Sequence, residues 1–180
     1  MTPGALWALL WGDGGQYHEI KVGTATCWVP CIRRRPFEAL VLEPDVRLSF
    51  VPRIDRDPFA LAQSYVLWAR LERPASADLL SRLPVGPTLV IREGRSSRRT
   101  ALWALSRPVS GDWITKGNER LSHACKGRRR AADASSLFPS PFSPGKSYVE
   151  YEDPDSVHTA REVVGRLRDA PATDGWRNAA

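Results

Sequence analysis

Nine residues, Ser64–Glu72 (SYVLWARLE), raise the first chemical question. Tyr65–Leu71 reads as a strand with a buried start, Tyr65–Trp68. Residues two apart on a strand share a face, so Arg70 and Glu72 emerge together at its end. Two acids in that position would hold a divalent cation through hard carboxylate oxygens. Here one of the two is a guanidinium. The pair is either a metal site altered by one charge reversal or a surface ion pair, and an exposed pair contributes under about 1 kcal/mol. Asp133 is a further carboxylate, open to two roles: ligand, or N-cap of the short segment after it.

Phosphate recognition is the second chemistry on offer. Between Arg92 and Arg130 lie eleven lysines and arginines against three acids, a surplus of eight that exceeds the +6 of the whole chain. The loop after Arg92, EGRSSRR, joins two strands and projects Arg95, Arg98 and Arg99 from one sheet edge. Guanidinium groups suit bidentate phosphate contacts, and Ser96 and Ser97 add hydroxyl donors. Arg128, Arg129 and Arg130 extend the basic character, and Arg33–Arg35 form another cluster. Such patches bind polyanions in a salt-sensitive, sequence-independent way; the plainer reading is a solvated charged loop. His123 falls on a helix as a packed or solvent-facing side chain.

The three cysteines, Cys27, Cys31 and Cys125, are an odd number, as expected of reduced thiols. No further Cys/His pair at zinc spacing accompanies Cys27 and Cys31, which argues against a structural zinc site. The opening run MTPGALWALLWGDGG lacks a basic leader and is too short to span a bilayer. The expectation is a cytoplasmic protein with no membrane partner.

The elements that must position these groups follow from periodicity and breakers. Helices are expected at Ala5–Trp11, Arg33–Leu42, Ala77–Leu83 capped by Ser76, Trp113–Lys126 capped by Ser110 or Asp112, and Val157–Arg168 opened by Ser156. Strands are expected at His18–Val22, Ala25–Pro30, Val46–Val51, Tyr65–Leu71, Thr88–Arg92, Thr100–Leu105 and Ser147–Tyr151. Ser135–Pro144 shows no regular pattern. Trp68 and Trp103 alternate with apolar residues and belong to the core. Strands interleaved with helices and no long linker describe one α+β domain, with 171–180 a frayed tail.

Set in order, LLWGDGGQYHEIKV, FVPRIDRD, SYVLWARLE, LLSRLPVGPTLVIREGR, ALWALSRPV, NERLSHA and AADASSL resemble the RepB-like DNA primase/polymerase domains of plasmids and actinobacterial phages, a branch of the archaeo-eukaryotic primase superfamily. The resemblance runs from about Leu6 to Pro171 and is most specific from Leu79 to Val109. It implies a primase-type α+β domain on a modified RNA-recognition-like, mostly antiparallel sheet flanked by helices. It further implies nucleotide joining on a DNA template with Mg²⁺ or Mn²⁺.

The family's D-x-D motif falls on Arg70 and Glu72, its histidine on Thr100, and its third acid on Asp133. Lys146 and Pro141 are what remains of its P-G-T-x-N-x-K segment. The resemblance thus assigns catalysis and metal to Glu72 and Asp133, in a site made degenerate by Arg70 and Thr100. Arg70 is expected to pair with Glu72. Nucleic acid or nucleotide falls to Arg92, Arg95, Ser96, Arg98, Arg99, Arg128, Arg129, Arg130 and Lys146. The partners implied are single-stranded or primer–template DNA, nucleotides and a replicative helicase. Two alternatives stand beside a weakened primase-like domain: an active metal-dependent nucleotidyltransferase using Glu72, Asp133 and Glu93, and a non-enzymatic interaction protein or prophage remnant.

Overall fold

A computed structural model describes residues 1–10, 15–72 and 79–167. Along the chain run α1 (Pro3–Leu10), β1 (Tyr17–Val22), β2 (Ala25–Pro30), α2 (Arg34–Leu40), β3 (Val46–Ser49), β4 (Ser64–Leu71), β5 (Leu89–Arg92) and β6 (Arg99–Val109). There follow α3 (Asp112–Ala124), a 3₁₀ turn at Arg129–Ala132, β7 (Leu137–Pro139), β8 (Tyr148–Glu152), β9 (Val157–His158) and α4 (Ala160–Val164). The strands form two sheets, β2-β1-β3-β7 and β4-β6-β5-β8. Every pairing within them is antiparallel except β9, which runs parallel to β6 at Ala104 and Leu105, beyond the point where β5 pairing stops at Leu102.

Side-chain alternation decides what each sheet buries. In β4, Val66 and Trp68 join a core shared with α1, α2 and the first sheet, while Leu67, Ala69 and Leu71 join a second core beneath α3 and α4. Both faces are therefore covered, which explains why the run reads as continuously apolar. Aromatic rings close the seam between the sheets. Phe50 stacks on Phe138 at 4.3 Å, and Trp68 meets Phe138 edge-on at 5.6 Å. The Trp68 indole nitrogen donates to the Ala131 carbonyl at 2.7 Å, tying the 3₁₀ turn to β4.

β4 is an edge strand, and its free backbone groups need partners. The Asn118 side chain on α3 accepts from the Trp68 amide at 2.8 Å, and the Arg128 amide donates to the Arg70 carbonyl at 2.7 Å. Close approach makes this possible: a Cβ on Gly117 would stand 3.0 Å from Leu67, and one on Gly127 would stand 2.6 Å from the Arg70 carbonyl oxygen.

Three expected elements differ. The final helix does not begin at Val157. Val157 and His158 pair with β6, and Thr159 starts α4 through a capping box with Glu162. Apolar spacing at 3–4 misled because Val157 fits a strand equally well. Ser135–Pro144, which shows no regular pattern in sequence, contains β7, three residues too short to show alternation, held by pairing with β3. Neither Ser110 nor Asp112 caps α3; Gly111 is the N-cap and no side chain bonds there. Residues 11–14, the Ser76 cap with Ala77 and Asp78 of the helix expected at Ala77–Leu83, and 168–180 lie outside the described residues; of that helix Leu79 and Leu80 are helical and the chain turns from Ser81. Among the described residues no helix is long and apolar enough to cross a membrane.

Candidate functional site at the end of the second sheet

The β4–β6 register brings Arg70 opposite Thr100 and Leu71 opposite Arg99; β5 adds Ile91 beside Thr100 and Arg92 beside Arg99. The residues singled out at Arg70, Glu72, Arg92, Arg99 and Thr100 thus converge on one end of the second sheet. Period-2 alternation places Arg70 on the same face as Trp68. Thr100 is almost wholly buried, and its hydroxyl has no protein partner.

The expected Arg70–Glu72 pair is not formed. Arg70 Nη2 donates to Glu93 Oε2 at 2.6 Å, with both side chains largely buried. Glu93 opens the β5–β6 loop, whose turn is held by the Glu93 amide donating to the Arg98 carbonyl at 3.0 Å. Glu72 lies just past the strand, where pleat alternation no longer governs direction, and its carboxylate pairs with Arg128 at 3.2 Å. Arg70 Nε and Glu93 Oε1 are buried without a protein partner, beside the similarly orphaned Thr100 hydroxyl.

Asp133 closes the 3₁₀ turn and accepts from the amide and hydroxyl of Ser135 at 2.7 and 2.6 Å. Its charge also acts on Arg53, a fully buried guanidinium that sequence reasoning passed over. Arg53 Nη2 donates to Glu19 Oε2 at 2.9 Å, and Arg53 Nη1 to the Val51 carbonyl at 3.0 Å. Burial pulls the Arg53 pKa down. The hydrogen bond with Glu19, then the charges of Glu19, Asp133 and Asp57, hold it up. The signal in FVPRIDRD and HEI is faint: a cation after the buried Val51 and Pro52, and an acid between the buried His18 and Ile20. Among the described residues no three His, Cys, Asp or Glu side chains are grouped to hold a metal ion.

The basic loop is partly neutralised by an acid that the sequence reading did not weigh. Glu150 on β8 takes the Arg99 guanidinium through two of its nitrogens and stands 3.6 Å from Arg92. The hydrogen bond from Arg99 holds the Glu150 carboxyl below its ordinary value and raises Arg99 in turn. Arg95, Arg98 and Arg130 are exposed and have no ion-pair partner among the described residues. Ser96 is turned inward on the loop, donating to the Glu93 carbonyl at 2.6 Å. Lys146 stands 3.9 Å from Asp45 with both largely exposed, and the Arg129 side chain lies outside the described residues. Cys31 and Cys125 are buried free thiols whose pKa burial pushes up to about 12, and Cys27 is a half-buried free thiol.

No family model and no curated protein matches this chain. Solved structures do. The chain is similar to the archaeo-eukaryotic primase domain of the cyanophage S-2L primase–polymerase, at TM-score 0.63 and 10% identity, over 89% of this chain and 94% of that one. It is similar to the catalytic domain of primase RepB′, solved in complex with initiator DNA, at TM-score 0.59 and 11% identity, over 89% and 87%. A longer RepB′ primase structure aligns at TM-score 0.57 and 9% identity, over 89% of this chain and 58% of that one. The chain has the RepB-like primase–polymerase fold, an α+β arrangement of antiparallel sheets flanked by helices.

Proposed function

We propose that this chain is a nucleic-acid-binding primase–polymerase domain of a phage, prophage or plasmid replication system whose nucleotidyl-transfer chemistry is weakened or lost. One observation carries the proposal: the strand-end position where a metal-binding acid is expected holds Arg70, in a largely buried ion pair with Glu93 at 2.6 Å.

The residues present do not fit a divalent cation. Unit charges 4 Å apart interact by about 4 kcal/mol at an effective dielectric of 20, and a divalent ion doubles that. A cation entering here meets the Arg70 guanidinium and must take Glu93 from it. Glu72 is engaged by Arg128 and Asp133 by Ser135, so neither carboxylate is held ready as a ligand. Thr100, in place of the family's histidine, is too short and too buried to reach a phosphate.

DNA binding is the part of the function that the residues support. Arg95, Arg98 and Arg130 offer exposed guanidinium groups near the sheet end, and the likeness to a domain solved on initiator DNA supports DNA as the partner. Nucleotides and a replicative helicase are further partners of the same reading. The test pairs two assays on the full chain. Template-dependent primer extension with Mg²⁺ or Mn²⁺ is expected to be absent, while single-stranded DNA binds with a salt slope that falls by about 1.4 on Arg95→Ala plus Arg98→Ala. Extension that disappears with Glu72→Ala and Asp133→Ala would overturn the loss of chemistry.

A further inference from the structure

The first sheet has one face packed in the core and one that is covered at Glu19 and Ser49 and open at Lys21, Thr26 and Arg47. Ile20, Leu48 and Phe138 point inward to α1, α2 and the aromatic seam. Their neighbours along the strands form the opposite face, whose register sets Glu19 beside Trp28, Lys21 beside both Thr26 and Arg47, and Ser49 beside Leu137. This face carries a cavity of about 470 Å³ whose lining includes Lys21, Thr26, Trp28, Phe59 and Leu137.

We infer that this open face is a stacking site for the bases of single-stranded DNA, with Trp28 and Phe59 taking bases and Lys21 and Arg47 taking phosphates; the inference rests on the nucleic-acid reading above.

Three observations lead there. Phe59 is 77% exposed at a loop tip that is nonetheless built. The Phe59 amide donates to Asp57 Oδ1 and the Asp57 amide to Asp55 Oδ1, both at 2.9 Å, and the Ile54 amide reaches the Ala60 carbonyl at 2.7 Å. Arg53 bridges Tyr17 on one side and Leu61 on the other, pinning the loop to the sheet. An apolar ring held outward on an ordered loop gains nothing from folding, but it costs little entropy to use in binding.

The charge on this face is unbalanced. Arg53 neutralises Glu19, the loop acids Asp55 and Asp57 turn to backbone amides at the Phe59 end, and the surplus of cations lies at the far end of the strands. Lys21 and Arg47 are direct cross-strand neighbours, and neither has an ion-pair partner among the described residues. Like charges set opposite on a sheet are destabilising, a cost that phosphate groups would relieve. Aromatic side chains and cations interleaved on an open sheet suit a single strand, whose base faces are free to stack. A duplex hides those faces, and an acidic protein would satisfy the cations without using the rings.

The experiment compares two fluorescently labelled oligonucleotides of equal length and charge, one with bases and one abasic, by anisotropy with the full chain at low salt. The intact strand is expected to bind at least about fivefold tighter. Trp28→Ala plus Phe59→Ala removes that preference while leaving the abasic affinity unchanged. Trp28→Phe, which keeps a ring, retains most of it. Lys21→Ala plus Arg47→Ala weakens both strands and lowers the salt slope by about 1.4. Phe59→Ala is a surface change, so its loss of preference is read on a folded protein even if Trp28→Ala unfolds. Equal wild-type affinity for the two strands overturns the stacking site, as does a preference that survives loss of both rings. Binding abolished by Arg95→Ala plus Arg98→Ala with no base preference overturns the site and leaves the nucleic-acid reading standing. No binding of either strand overturns both.

Discussion

Arg70 and Glu93, 23 positions apart in sequence, form a 2.6 Å ion pair at the end of the second sheet, and Glu72, two residues from Arg70, takes no part in it. The relationship is measurable. Buried, hydrogen-bonded pairs couple more strongly than exposed ones. A double-mutant cycle of Arg70→Ala with Glu93→Ala, read by urea unfolding, is expected to give at least about 1.5 kcal/mol of coupling. The same cycle with Glu72→Ala is expected below about 0.5 kcal/mol, within additivity. Equal coupling to both acids would mean that Arg70 is shared and that its position is not closed to a cation.

Glu19 and Arg53 provide the second prediction. Arg53 is wholly buried, with Glu19 2.9 Å away on β1. Removing one partner of such a pair strands a charge in the interior and costs about 3–5 kcal/mol. Glu19→Ala should therefore lower the melting temperature by roughly 10 °C, taking about 2–4 °C per kcal/mol for a domain of this size. Replacing both, Glu19→Leu with Arg53→Met, should recover most of the loss, because two apolar side chains leave no uncompensated charge. A single substitution as mild as the double would show that the ion pair does not organise this loop. The same substitutions would loosen the loop that presents Phe59.

The strand positions were legible from the residues; the meeting of Arg70 with Thr100 and the partners of the charged groups were not. β4 announced itself because a strand buried on both faces is continuously apolar, and Arg70 marked its end by breaking the run. Thr100 could be placed opposite Arg70 only through the register, which depends on how β6 pairs along its whole length. Glu150 went unweighed, and Glu93 was weighed as an alternative ligand and not as the partner of Arg70, because ion pairing is set by three-dimensional proximity. Arg70 chose an acid across the sheet over the nearer one in sequence, since Glu72 leaves the pleat after Leu71. β9 was misread because a helix and a strand both accept Val157; the Thr159–Glu162 capping box, visible in sequence as T-x-x-E, would have set the helix start correctly. Phe59 and Trp28 sit on different elements, and no periodicity joins a loop tip to a strand.

His18 makes stability depend on pH in a window of its own. It lies on β1, 1% exposed, its ring 4.9 Å from that of Phe37, and neither ring nitrogen has a hydrogen-bond partner. Burial lowers its pKa from 6.5 to about 4. The folded chain therefore keeps His18 neutral where the unfolded chain protonates it. Stability is independent of this group above about pH 6.5 and falls as pH drops toward 4, by up to about 1.4 kcal/mol per unit. Below pH 4 the folded state takes the proton too, and the slope from this group vanishes. Glu150 and Glu162, whose pKa values are lowered by hydrogen bonds from Arg99 and Thr159, lose their contributions only below the ordinary glutamate range, so the interval from pH 6.5 to 5 belongs to His18. Between pH 7 and pH 5 the unfolding free energy should fall by about 2 kcal/mol in the wild type. His18→Leu, which keeps the apolar contact with Phe37 and removes the titrating ring, should flatten that interval. A wild-type and a His18→Leu profile that run parallel from pH 7 to 5 would show that His18 accepts its proton without unfolding, and that the first sheet opens around it.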